Sequence, residues 1–547
     1  MKLDLPPTGT GQPPAFADAG QCAAWLKTLP LSSPLQTQAQ LLRQLQLLDR
    51  YTLDAELRLA LLETLRETVY FAQTECAKKF SGRPLPLAPP EQAAFDSAQG
   101  LWLALLAGYT RCIDACLGAD TPLRLQAGMI CQRALATLAD AHADMVRAGL
   151  RPPPTLWRQA HLLYVCAEAL GRAATACDDA LRGSRPQTPG TAYTELMLTQ
   201  AAGLQELALR QQQWVMRWAR RWADKVTIHD LPPALDTPAL PLCVDLDGEA
   251  PAGFQPQSGK GARWLDTTEL RKSLKKRLTL LTREGAAADP VRLGLGDDCP
   301  QPACGEVLRR TYPRWVKGGV LRRHERHPLS GACRCVVGVD AIHYYVSDRQ
   351  PFKPPGNVTA EELRRQREEL ATFDRIAERF DDEYSRNHGY QFENWEIVED
   401  WGMLDQSSGG LRIVRPLEQA GGRLGSGQLI AVQPAGAAGL LLGAVRWAQV
   451  GGDSLSAGIK LFPGRPVAIV LRGTGVMAAK EQFYPGFLIP PTDALEMPAS
   501  IVLPPGAFKP NRIMEVWHLG VSRRIRLGEV LDRGGDFERA AFKEISA

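Results

Sequence analysis

No stretch of this sequence stays apolar for long. The most continuous apolar run, Leu101–Ala107, falls far short of the roughly eighteen residues that cross a bilayer, so no membrane span is expected. The opening residues, MKLDLPPTGTGQPP, place one lysine before prolines and glycines and lack the apolar stretch and small-residue cleavage site of an export signal, which predicts a cytoplasmic chain. Cysteine is sparse: twelve in 547 residues is not the density of a disulfide scaffold, and most thiols are expected to stay reduced. Net charge is nearly absent. Sixty-four Lys and Arg against 60 Asp and Glu leave +4, which excludes the global basic field of a generic nucleic-acid or membrane-surface binder, so no DNA or RNA partner is expected. The eight histidines contain no HExxH pair. There is also no phosphate loop of the G-x-x-x-x-G-K-S/T type and no strand-linked dinucleotide fingerprint. No catalytic residue, metal or cofactor is therefore assigned, and an enzyme is not expected.

What is present is material for packed cores, at 45% hydrophobic and 23% charged, over a length that implies about three domains. Residues 1–20 read as a flexible start. Over 21–231 apolar residues recur at helical spacing, as in Leu57, Leu61, Leu65 and Val69 after a Thr52/Asp54 start signal, and a bundle of about six helices is predicted. Trp214, Trp218 and Trp222 form a similar stripe, read as bundle core. Residues 232–317 read as a linker and helical hinge region, with one basic amphipathic helix over 265–282. From Gly331 onward short β-type runs alternate with Gly-rich turns, the pattern of a barrel or sandwich. That β-domain is placed at 318–475, with a helical insertion at 359–384, and 476–547 reads as a C-terminal β extension. The fold class is thus α+β multidomain: an N-terminal all-α bundle followed by an antiparallel β-barrel.

The charge that matters is local. Between 301 and 330, Arg309, Arg310, Arg314, Lys317, Arg322, Arg323 and Arg326 face only Glu306 and Glu325, a surplus of five, and the rest of the chain sums to −1. Guanidinium forks suit phosphate and guanine, although a solvated loop has the same composition. Asp405-Gln406-Ser407-Ser408-Gly409-Gly410, between two predicted strands, combines an acceptor, a hydroxyl and two glycines. Such a segment can approach and hydrogen-bond a ligand closely, or simply make a hairpin turn. Rival constellations fare worse. Ser273-Leu274-Lys275-Lys276 matches SxxK only formally, and Cys299, Cys304, Cys333 and Cys335 depart from zinc-knuckle spacing and read as reduced core thiols.

Together, Arg322-Arg323-His324-Glu325-Arg326 and Asp405-Gln406-Ser407-Ser408-Gly409-Gly410 resemble the two motifs of the PilZ domain, the bacterial receptor module for cyclic di-GMP, whose patterns are RxxxR and D/N-x-S-x-x-G. The resemblance implies a PilZ-like barrel in which Arg322, Arg323 and Arg326 hold the phosphates and one guanine, while Asp405, Ser407, Gly409 and Gly410 read the other from the barrel surface. It further implies a cyclic di-GMP effector for motility- or biofilm-type signal transduction, with protein partners engaged through the helical domain and binding that rearranges domains. An adaptor whose barrel no longer binds nucleotide is the alternative.

Overall fold

The helical stripe of the first third is realised as packing. In the computed structural model, which describes residues 3, 5, 7–9, 12–118, 122–233, 240–318, 327–355, 398–407, 409–474, 483–492, 497–519 and 521–545, Leu61, Leu65 and Val69 are fully buried. The chain divides into two compact units, Met1–Arg323 with Gln449–Gly452, and His324–Ala448 with Asp453–Ala547. The first unit opens with α1 (Ala19–Leu26), α2 (Pro34–Arg50), α3 (Ala55–Ala77), α4 (Pro89–Gly118), α5 (Ala127–Arg147), α6 (Pro154–Ala169), α7 (Pro189–Ala201) and α8 (Leu209–Trp222). Asp54 caps α3, accepting from the Glu56 and Leu57 amides at 3.0 and 3.2 Å. By length and composition α4 could cross a membrane, but it packs as a core helix against α2, α3 and α5. Its polar side chains are partnered inside the unit, with Trp102 donating to Asp144 at 2.8 Å and Tyr109 to Glu63 at 2.6 Å.

Helices α7 and α8 are separate because Gly203 adopts φ +62° and the Arg314 guanidinium occupies the space a Cβ would need. The region expected to be a linker is built into this unit. β1 (Thr227–His229), β2 (Leu242–Asp245) and β3 (Ala262–Asp266) form a sheet in the order β1-β3-β2, followed by α9 (Thr268–Glu284) and α10 (Ala303–Val316). Trp315 on α10 is buried and donates to the Leu198 carbonyl at 2.8 Å. Cys299 and Cys304, expected as reduced thiols, are joined by a disulfide, whereas Cys333 and Cys335 are buried free thiols.

The first elements described in the second unit are β4 (His327–Val337) and a short helix, α11 (Val339–Val346). β5 (Glu399–Ser407), β6 (Gly410–Pro416), β7 (Leu429–Pro434), β8 (Leu441–Gly451) and β9 (Ser454–Leu461) join β4 in a closed antiparallel barrel of order β4-β5-β6-β9-β8-β7. The expected insertion at 359–384 lies outside the described residues. The last part of the chain is no mere extension. β10 (Val467–Gly473), β11 (Tyr484–Ile489), β12 (Ser500–Leu503), β13 (Ile513–His518), β14 (Val521–Arg533) and β15 (Glu538–Ile545) close a second barrel of order β10-β11-β12-β15-β14-β13. β10, which had been grouped with the first barrel, pairs here with β11 and β13.

The barrels share one apolar cluster in which Leu429, Leu442 and Phe462 of the first segment meet Phe487, Val502 and Phe537 of the second. Polar contacts reinforce the joint: Lys460 pairs with Asp532, the Arg539 guanidinium lies 4.9 Å from the Phe462 ring centroid, and the Leu429 amide donates to Asp536 at 2.8 Å. His343 on α11 lies in this apolar surround, between the rings of Phe352 and Phe487, with Nε2 donating to the Ile469 carbonyl at 3.3 Å. Burial pulls its pKa down from 6.5 to about 4. The unfolded chain therefore takes up a proton at a pH where the folded one does not, and stability falls as pH drops from about 6.5 to about 4, by at most about 3 kcal/mol. Denaturation midpoints of the double barrel should show this slope, and His343→Gln should flatten it.

Candidate functional site on the first barrel

The strand that carries Asp405 and Ser407 changes its inside-outside alternation just before them. On β5, Trp401 and Met403 are buried in the barrel, and Met403 pairs with Ile413 of β6, also buried. Continued alternation would point residue 405 inward as well. Instead the register shifts between Met403 and Asp405, so that Leu404 is an extra residue facing no partner and Asp405 stands opposite Arg412. This is a β-bulge, and it reverses the parity of everything after it. Asp405 and Ser407 consequently share the outer face, both half-buried, with Leu404 40% exposed at the break. Below the bulge the inward positions hold a closed polar cluster: Glu399 pairs with Arg415 at 3.4 Å and accepts from the Trp401 indole at 2.9 Å.

The outer face continues across the sheet. Arg412 pairs with Gly458 of β9, and the Trp447 ring packs where a Gly458 side chain would be, with the Arg412 guanidinium 5.9 Å from the ring centroid. The Arg412 Nε is buried and has no hydrogen-bond partner among the described residues. Gly410 lies opposite both Ser407 and Lys460. It does not adopt positive φ. Its role is close approach, since a Cβ there would collide with the Ile459 carbonyl oxygen. Gly410→Ala should therefore cost about 1–3 kcal/mol of barrel stability, measured as a lowered denaturation midpoint; an unchanged midpoint would show that β6 and β9 can separate freely.

On the other side of β5, β4 enters the barrel with His327 paired to Gln406 and Pro328 to Asp405. Residues 327–330 are exposed. Arg322, Arg323 and Arg326 lie outside the described residues, but Arg326 immediately precedes His327 in the chain. Thus Asp405, Ser407 and Gly410 are brought together on one outer face with Gly409 at its exposed edge, and the strand leading from the arginine motif runs directly beside them. Sequence reasoning missed Arg412 and Trp447. The alternation of β6 marks Arg412 as outward, but which aromatic reaches it depends on the β6–β9 register. The basic surplus also divides: Arg310 and Arg314 belong to α10 and both pair with Glu206, at 3.2 and 2.8 Å, so part of that charge is structural.

Residues 20–234 match the family model described as "Cyclic-di-GMP receptor FimW, N-terminal domain", and residues 470–545 match the one described as "FimW C-terminal beta-barrel domain". Both flanks of the chain match domains of one receptor family. The first match spans α1 to β1 and the second takes in nearly all of the second barrel, while the first barrel lies between them. A curated relative, the "Cyclic-di-GMP receptor FimW" of Pseudomonas aeruginosa, is 26% identical over 361 residues, 63% of this chain and 56% of the relative. The match thus spans just over half the length of that relative.

Proposed function

We propose that this chain is a cytoplasmic cyclic di-GMP effector whose first barrel is a PilZ-like receptor surface. The observation that carries the reading is the bulge at Leu404, which turns Asp405 and Ser407 outward beside the strand that leads from Arg322, Arg323 and Arg326. Under this reading Asp405 accepts hydrogen bonds from the N1/N2 edge of one guanine and Ser407 bonds a base or phosphate oxygen. The arginines take the phosphates and the O6/N7 edge of the other base. Arg412 and Trp447 border the same face, supplying a cation and a ring. The name of the matched relative supports the ligand.

Binding works here by differential contacts, not by making or breaking bonds: the dinucleotide favours the arrangement in which the arginine segment and the barrel face both touch it. The helical unit is the surface for protein partners. Calorimetric titration of the full chain with cyclic di-GMP tests the reading, with saturable heat at micromolar nucleotide expected. A folded sample that shows no saturation overturns it and leaves the adaptor reading standing.

A further inference from the structure

A cavity of about 600 Å³ opens in the helical unit between the loop that follows Arg182 and the second half of α8. Its lining holds five arginines, Arg182, Arg185, Arg217, Arg220 and Arg221, against one carboxylate, Asp224. Two of the guanidinium groups are fixed from behind. Arg182 is fully buried and held by Asp140 and by Glu195 at 2.7 Å, and Arg220 donates to Glu195 at 3.0 Å and to Asp140 at 3.3 Å. Asp140 is itself held by the Tyr70 hydroxyl at 2.5 Å. Groups locked in this way meet a ligand without losing rotamer freedom.

Nearer the opening the charge is poorly balanced. Arg185 is largely exposed and meets Asp224 only at 3.9 Å, and Arg221 has no ion pair or hydrogen bond among the described residues. Arg217 alone of the outer three has a close partner, Asp298 at 2.5 Å. The excess is felt next door, where Arg277 is held below its usual value by burial and then by repulsion from Arg221 and Arg185. The lining contains no lysine. Planar forks offer paired hydrogen bonds to two oxygens of one tetrahedral anion, and the volume lies in the range of small-ligand sites.

We propose that this cavity is a second binding site, for a small phosphate-bearing anion, independent of the barrel face. The phosphate could be that of a free nucleotide or of the cyclic dinucleotide itself, and separate titrations distinguish the sources. With the full chain and inorganic pyrophosphate as probe, saturable binding is expected, weakened about tenfold or more in R185A/R221A, whose side chains are exposed and outside the core. D405A should leave pyrophosphate binding unchanged, and so should K275A/R283A, which removes two cations elsewhere on the same unit. Absence of saturable binding, equal affinity in R185A/R221A, or equal loss in K275A/R283A would overturn the proposal. If cyclic di-GMP binding survives D405A and is lost in R185A/R221A, the cavity is a phosphate site and the barrel assignment falls.

Discussion

Asp405→Ala is expected to weaken cyclic di-GMP binding about ten- to a hundredfold while leaving the barrel folded. A hydrogen bond to a charged group contributes about 1.5–3 kcal/mol, and each 1.4 kcal/mol is a factor of ten in affinity. Asp405 faces outward and is only half-buried, so its removal leaves the buried set of Trp401, Met403, Leu411 and Ile413 untouched. Asp405→Asn keeps one acceptor oxygen and should lose less. The same titration applied to Arg322→Ala and Arg326→Ala should show losses of about the same order, because each removes a guanidinium fork suited to a phosphate. Full affinity in all three alanine variants, with an unchanged denaturation midpoint, would move the ligand away from this face.

Asp179→Ala carries the largest expected effect on stability. Asp179 is fully buried, accepts two hydrogen bonds from Arg66 at 2.7 Å, pairs with Arg133 at 3.2 Å and accepts from Gln132 at 3.1 Å. Arg66 is itself only 4% exposed. Removing the carboxylate strands a buried guanidinium, which costs about 3–5 kcal/mol, a large part of the 5–15 kcal/mol that holds a typical domain together. Calorimetry of the full chain should show the transition of the helical unit shifted down and that of the barrels unmoved. The same pair sets an acid limit. Burial alone would raise the pKa of Asp179, but Arg66 and Arg133 overcome it and hold the carboxyl below its usual value. The stabilisation is therefore complete above the ordinary carboxylate range and is lost as pH falls through the lowered folded value.

The helices were legible because their signal is local. Trp214, Trp218 and Trp222 sit one turn apart in the sequence, and all three are buried as that spacing demands. Strand existence was legible for the same reason, but closure was not: β12 finds β15 across more than thirty residues, and nothing within either run announces the partner. At the site, Asp405 and Ser407 were visible as chemistry but read as part of a turn, whereas both stand within β5. Their outward direction depends on a bulge that exists only relative to β6. The charge surplus was visible as a sum, yet its division between α10 and the segment before β4 follows from Glu206, more than a hundred positions upstream.

The extra residue at Leu404 has a consequence for descent. A reading surface on a barrel of this kind can tolerate a change of strand length at that position. Deleting one codon at position 404 would remove the bulge and place Asp405 directly after Met403, still opposite Arg412, so the carboxylate and the hydroxyl would stay on the outer face. Relatives that keep the aspartate and serine but lack the residue at 404 are therefore expected to keep the same outward face.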